Sequence, residues 1–195
     1  MSHNSLSELE NLKFTKISQS EIEFSGIEES IKFKFSSEKG ILEVESAIYK
    51  SGIEVNEIPV SSIKPAIIGN GSTQRFVYHF LDKQFKGNHG LRAGITVHAA
   101  ESQWSSLPHD FELNLEVGFE EMFFYGLDSK TDSGAIQVGK GVWQDFANVD
   151  NCWLVKDREH SVIPMGYHPV VGLPGTIVSY CWAYIAKHPH WEKVK

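Results

Sequence analysis

Residues 162–171 read Val-Ile-Pro-Met-Gly-Tyr-His-Pro-Val-Val, and this stretch decides the fold and the kind of site that we expect. Its Pro-Met-Gly turn fixes the angle at which His168 leaves the chain, because proline restricts φ and glycine accepts conformations that other residues avoid. A histidine held in this way is a candidate metal ligand.

Most of the chain has the pattern of short strands. Residues 31–35 alternate apolar and polar side chains, and residues 41–45 continue in a similar style. Short runs of period two that are bounded by Gly, Ser, Asn and Asp are typical of half-buried strands. Further strands are predicted at 74–82, 91–99, 111–127, 153–155, 161–164 and 176–186. Helical periodicity is scarce, so the sequence predicts an all-β sandwich or barrel.

A turn signal divides the chain. Residues 69–72 read Gly-Asn-Gly-Ser, a composition that favours a tight turn. We therefore expect residues 1–68 to form an N-terminal β extension and residues 69–195 to form the barrel.

Composition excludes some partners. The formal charge is −7, and the 18 basic residues do not form the stripe that binds nucleic acid. The acidic balance also argues against anionic membrane surfaces, and no signal peptide or apolar span is evident. We expect a cytoplasmic protein in which Cys152 and Cys181, both within apolar stretches, are buried reduced thiols.

Two more segments carry groups that bind metals. Residues 104–110 read Trp-Ser-Ser-Leu-Pro-His-Asp, and residues 119–125 read Phe-Glu-Glu-Met-Phe-Phe-Tyr. First-row divalent ions favour imidazole together with a carboxylate. If the strands are neighbours in a barrel, His109, Glu121 and His168 can converge on one ion and leave positions open for a substrate. The alternative is that both histidines are satisfied core or turn residues and that Glu121 pairs with a basic side chain, while Glu120 could exchange roles with it.

The three segments together resemble the 5-deoxy-glucuronate isomerase and 5-keto-4-deoxyuronate isomerase family. The match is closer to the 5-deoxy-glucuronate branch, which acts in inositol breakdown, because its Pro-x-Gly-Tyr-His-Pro-Val pattern is complete at residues 164–170. The resemblance implies a double cupin fold. It also implies a divalent metal, zinc before manganese or iron, held by two histidines of the first segment, Glu121 and His168.

The sequence departs from this family in two ways. Phe111 stands where the family has the second histidine of His-x-His, and a different gap would align His109 with that second position, so one ligand is missing either way. Asp110 and Glu112 would point to the opposite face of a strand, whereas His98 on the preceding strand could fill the gap. The region before residue 69 is also much shorter than the family's first cupin half.

The resemblance implies an isomerase that interconverts aldose and ketose forms of a sugar acid such as 5-deoxy-glucuronate. The metal would polarise the carbonyl, with Glu120 as general base and Tyr167 as acid. One alternative is a non-catalytic cupin that binds a ligand or serves a structural role, and a second is a metal-dependent oxygenase using iron. We expect a small carbohydrate acid as partner and a homo-oligomer formed through β-surfaces.

Overall fold

The computed structural model describes residues 9–81, 90–105 and 119–185. Within these ranges the regular structure is β-strand, with short 3-10 turns at Val60–Ser62 and Gly71–Thr73 and no α-helix. The first strands are β1 Lys13–Lys16, β2 Glu21–Ser25, β3 Glu29–Phe35, β4 Val44–Ser51, β5 Glu54–Ile58, β6 Ala66–Ile68, β7 Arg75–Leu81 and β8 Leu91–His98. The later strands are β9 Glu120–Ser129, β10 Ala135–Val142, β11 Asn148–Val155, β12 His160–Ile163, β13 Met165–Tyr167, β14 Val170–Gly172 and β15 Thr176–Ile185.

These strands form three antiparallel sheets. The first five strands follow one another in an N-terminal sheet, β1-β2-β3-β4-β5. A six-stranded sheet has the order β12-β9-β15-β8-β7-β6. A smaller sheet centres on β10, which pairs with β11 on one side and with β13 and β14 on the other. The crossovers within the last two sheets are those of a jelly-roll barrel.

The six-stranded sheet is buried on both faces. On β9, Met122 and Phe124 pack into a core shared with the N-terminal sheet. The alternating residues Phe123 and Tyr125 pack into a second core, which lies between the six-stranded sheet and the smaller sheet. A strand that is covered on both faces needs apolar side chains at successive positions. This explains why residues 122–125 are apolar or aromatic without alternation.

Most of the predicted strands are confirmed, among them 74–82 as β7, 91–99 as β8 and 176–186 as β15. The run at 31–35 is confirmed as part of β3. The prediction at 41–45 is wrong for its first half, since β4 begins at Val44. Before that strand, the Leu42 backbone amide donates to Ser179 Oγ at 2.9 Å. This amide therefore bonds to a side chain of another sheet and not to the backbone of a neighbouring strand. Of the run at 111–127, residues 111–118 lie outside the described residues.

The turn at residues 69–72 follows β6, which pairs with β7 and so belongs to the six-stranded sheet. The N-terminal sheet therefore ends with β5, whereas the turn predicted a boundary after residue 68. Among the described residues, no helical segment has the length and hydropathy needed to cross a membrane.

The two thiols differ in exposure. Cys181 is buried in the first core, and burial raises the pKa of its thiol well above the usual value. The prediction that Cys152 is buried is wrong, because it lies exposed on β11, where the neighbouring Trp153 takes the inward position.

Candidate metal centre

Glu121 is a buried carboxyl group on the barrel side of β9. The ladders place it opposite Ile163 of β12 and Tyr184 of β15, and only 6% of its surface is exposed. Burial raises the pKa of Glu121 to about 8, because the charged form loses its hydration. Without a cation, this carboxyl group is therefore largely protonated at neutral pH.

His168 lies in the connection between β13 and β14 and is 1% exposed. Its Nδ1 is 2.8 Å from the carbonyl oxygen of Gly166, so Nδ1 carries the hydrogen and donates it. That assignment leaves a lone pair on Nε2, which is how proteins orient a histidine that binds a metal. Gly166 has φ of 108°, and a Cβ there would lie 2.7 Å from the Lys140 carbonyl oxygen. The turn therefore requires glycine.

The two side chains meet inside the barrel. Nε2 of His168 lies 3.4 Å from Oε2 of Glu121. Ligand atoms roughly 2.0–2.2 Å from a tetrahedral zinc ion are about 3.4 Å from each other. Among the described residues Oε2 of Glu121 accepts no hydrogen bond. A nitrogen and a carboxylate oxygen at this separation fit a first-row divalent ion.

Aromatic rings lie beside His168 in the barrel. The Phe123 ring lies 5.9 Å from the His168 ring in an edge-on arrangement and stacks on Tyr180 at 4.5 Å. Phe123 and Tyr180 are both buried. Such a wall lowers the local dielectric constant, which strengthens the attraction between a cation and the Glu121 carboxylate.

The third predicted ligand, His109, lies outside the described residues. Within the residues that the structure does describe, no three His, Cys, Asp or Glu side chains form a group able to hold a metal ion. Ser105, four residues before His109 in the sequence, donates its amide hydrogen to the Val170 carbonyl oxygen, two residues beyond His168.

Glu120 points to the other face of β9. Its carboxylate accepts hydrogen bonds from the backbone amides of Glu10, Asn11 and Leu12 and from the Asn11 side chain, at 2.6–3.1 Å. Glu120 is 3% exposed. This carboxylate is held by the chain's own N-terminal segment, so the structure favours an anchoring role over the predicted role of general base.

Tyr167 and His98 occupy different positions. Tyr167, the predicted acid, is half-buried at the end of β13, directly before His168. His98 ends β8 and its ring lies 6.4 Å from that of Tyr180, and among the described residues it does not join Glu121 and His168 in a group that could hold a metal ion. His98 therefore does not replace the missing ligand.

Comparison with known proteins identifies the chain. A model of the KduI/IolB family matches residues 20–195. The chain belongs to the KduI/IolB family. Family membership agrees with the resemblance that the three sequence segments carry.

Relatives in the KduI/IolB family are longer than this chain. The 5-deoxy-glucuronate isomerase of Geobacillus kaustophilus (strain HTA426) is 30% identical over 122 residues, which cover 60% of this chain and 42% of that protein. The 5-deoxy-glucuronate isomerase of Halalkalibacterium halodurans is 28% identical over 134 residues, which cover 64% and 47%. The aligned residues thus cover less than half the length of these curated relatives.

A solved structure supports the fold. An IolB-like protein from Salmonella typhimurium LT2 aligns with 96% of this chain and 75% of its own, with a TM-score of 0.58 and 19% sequence identity. At this identity the likeness concerns the fold alone. Together with the facing sheets of the barrel, it confirms the all-β cupin fold.

Sequence reasoning missed one group of residues in this KduI/IolB member. The Gln137 side chain lies fully buried on β10 and donates to the carbonyl oxygen of His168 at 2.7 Å. The Gln137 side-chain amide is oriented by the hydroxyl of Tyr125, which donates to its oxygen at 3.0 Å. No motif marks Gln137, since a lone glutamine in a half-buried strand is unremarkable in sequence.

Proposed function

We propose that this chain is a metal-dependent isomerase that interconverts aldose and ketose forms of a small sugar acid. The observation that carries the proposal is the 3.4 Å approach of His168 Nε2 and Glu121 Oε2 inside a buried cupin barrel. Family membership supplies the reaction class, since the curated relatives are named 5-deoxy-glucuronate isomerases.

His109 is the proposed third ligand. It follows Ser105 by four residues in the sequence. Ser105 itself pairs with Val170, two residues beyond His168. Three protein ligands and one open position suit catalytic zinc, and manganese or iron would accept the same donors.

The bound ion would act as a Lewis acid that polarises the substrate carbonyl and stabilises negative charge on its oxygen. Glu121 must lose its proton to bind, which burial resists and a cation promotes. His168 presents Nε2 because its Nδ1–H is engaged by Gly166. Phe123 and Tyr180 exclude water from one side of the site.

Tyr167 is the proposed proton donor for this reaction. It directly precedes His168 and is half-buried, so its backbone lies beside the pair while part of its side chain meets solvent. A phenol can serve as a general acid when it lies within hydrogen-bond reach of the substrate oxygen.

Metal content and turnover test the proposal on the same preparation. Untagged protein, purified without chelator, is analysed for metals and assayed for isomerisation of 5-deoxy-glucuronate by NMR. We expect near-stoichiometric zinc or manganese together with turnover, and loss of both in His109→Ala. Iron together with oxygen uptake would replace this proposal by an oxygenase.

A second candidate is a non-catalytic cupin that binds a ligand. The observation that favours it is the burial of Glu121, which raises the pKa of its carboxyl group to about 8 and so favours the uncharged form. In that case Glu121 would remain protonated beside His168. A protein that retains no metal and takes up none on addition would support this candidate and contradict the isomerase.

A further inference from the structure

We infer that Gln137 is a positioning residue of the candidate metal centre, whose amide fixes the main chain of His168. The inference rests on the proposed function, because it concerns how His168 is presented to the ion. Gln137 lies on β10 in the smaller sheet, opposite the sheet that carries Glu121.

A chain of buried hydrogen bonds fixes the orientation of the Gln137 amide. Tyr125 Oη donates to Gln137 Oε1 at 3.0 Å, and the Ser161 hydroxyl lies 2.6 Å from the same Tyr125 oxygen. Because Tyr125 gives its hydrogen to Gln137, Ser161 must donate to Tyr125. The amide nitrogen of Gln137 then points away from Tyr125, toward acceptors only.

Those acceptors are three carbonyl groups around the His168 connection. Nε2 of Gln137 donates to His168 at 2.7 Å and to Val138 at 2.8 Å, and Pro169 accepts a longer contact at 3.3 Å. The two amide hydrogens match the two short bonds. Gln137 is fully buried, so no solvent competes for them.

Pro169 explains why a side chain is needed here. β10 pairs with β13 up to Tyr167 and with β14 from Val170, so Val138 faces Pro169. The Val138 amide donates to the Pro169 carbonyl at 2.8 Å. An antiparallel partner would return a bond to the Val138 carbonyl, but proline has no N–H to donate. Gln137 supplies the missing donor.

The Gln137 amide therefore supplies the hydrogen bond to the Val138 carbonyl that proline cannot donate, and it also fixes the backbone of His168, the proposed metal ligand. His168 is fixed at its ring through Gly166 and at its carbonyl through Gln137. Groups that orient a ligand in this way affect metal affinity by roughly 10–100-fold when they are removed. Glutamate or leucine at 137 cannot donate two hydrogens, so neither can replace glutamine.

The experiment compares metal affinity in Gln137→Leu, Gln137→Glu and the parent. Zinc affinity is measured by competition with a chromophoric chelator, and Co²⁺ absorption spectra are recorded at saturation. We expect both variants to bind zinc 10–100-fold more weakly and the Co²⁺ spectrum to change shape and intensity. Ser179→Ala is the matched control. Its hydroxyl is equally buried and bridges Leu42 and Gly126, so it takes no part in the chain of hydrogen bonds that reaches His168.

A merely structural role would give a different result. Ser179→Ala should lower the melting temperature and leave the zinc affinity and the Co²⁺ spectrum at parental values. If both Gln137 variants fold and keep zinc affinity within two-fold of the parent, the inference is overturned while the metal centre stands. If the parent itself binds no metal, the proposed function and the inference both fail.

Tyr125→Phe covers the case in which the Gln137 variants do not fold. It removes only the hydroxyl that orients the amide and keeps the buried ring. We expect a several-fold loss of zinc affinity with an altered Co²⁺ spectrum. If Gln137 cannot be replaced, a Tyr125→Phe protein that binds zinc with parental affinity and spectrum overturns the inference.

Discussion

The backbone amide of Leu12 donates a 2.6 Å hydrogen bond to Oε2 of Glu120, across 108 residues of sequence. The amides of Glu10 and Asn11 bind the same carboxylate. Glu121, the next residue, faces the opposite side of the strand and meets His168. The two adjacent glutamates thus have different roles. Glu120 anchors the N-terminal segment to the barrel, and Glu121 belongs to the candidate metal centre.

The anchoring role predicts a stability effect for Glu120→Gln. The amide presents an N–H₂ group toward donors, so several charge-assisted bonds are lost from a buried position. We expect the free energy of unfolding to fall by about 3 kcal/mol, measured by urea denaturation. Glu45→Gln is the control, because its ion pair with Lys34 is exposed and should cost under ~1 kcal/mol. If Glu120→Gln keeps the parental stability but loses turnover, the anchoring role is contradicted and Glu120 is supported as the general base.

His168→Ala should abolish stoichiometric metal binding while leaving the barrel folded. The turn before it is set by Pro164 and Gly166, which the substitution does not touch. Metal content by elemental analysis and the circular dichroism spectrum check the two parts. His79→Ala, at an exposed position on β7, is the control and should keep its metal. Full metal content in His168→Ala would remove His168 from the set of ligands.

His98 predicts a pH-dependent contribution to stability. Burial, and then the positive charge of Arg75, lower its pKa to about 4 from 6.5, while the nearby Gln103 backbone opposes the shift. Between these values the unfolded chain binds a proton that the folded chain does not. Stability from this group is therefore present above pH 6.5 and is lost as pH falls toward 4. The loss should amount to about 2–3 kcal/mol at pH 4.5.

Comparison of His98→Phe with the parent isolates this contribution. Phenylalanine keeps a buried ring and cannot take up a proton. We expect the difference in unfolding free energy between pH 7 and pH 4.5, measured in urea, to be smaller in the variant. Equal pH dependence in the two proteins would show that His98 does not bind its proton differently on folding.

Gly166→Ala tests the geometry of the turn that presents His168. A side chain at φ of 108° is strained, and its Cβ would collide with the Lys140 carbonyl oxygen at 2.7 Å. We expect a loss of about 3 kcal/mol together with weaker metal binding. Gly52→Ala is the control: its φ of 56° is also positive, but nothing lies within 4 Å of the added Cβ. It should cost about 1 kcal/mol and leave metal binding unchanged, whereas equal losses in both variants would argue against a collision.

Sequence predicted the features that depend on local order. The Pro-Met-Gly turn predicted a role for His168, and an acidic residue within an aromatic strand predicted one for Glu121. Each of these two patterns is contained in a segment of no more than ten residues. Alternation predicted β3, because that strand is covered by apolar groups on one face only. The alternating pattern wrongly predicted a strand at residues 41–43, where the Leu42 amide donates to the Ser179 side chain and not to a neighbouring strand.

The sequence by itself therefore determined the strand-rich fold, and it predicted two members of the candidate site. Tertiary structure decided which of the two glutamates faces the barrel, because a strand buried on both faces carries no alternation to mark its sides. It also decided that, among the described residues, His98 does not join Glu121 and His168 in a metal-binding group, and that Gln137 contacts His168. These are relations between strands distant in sequence, and sheet pairing and packing alone bring such residues together.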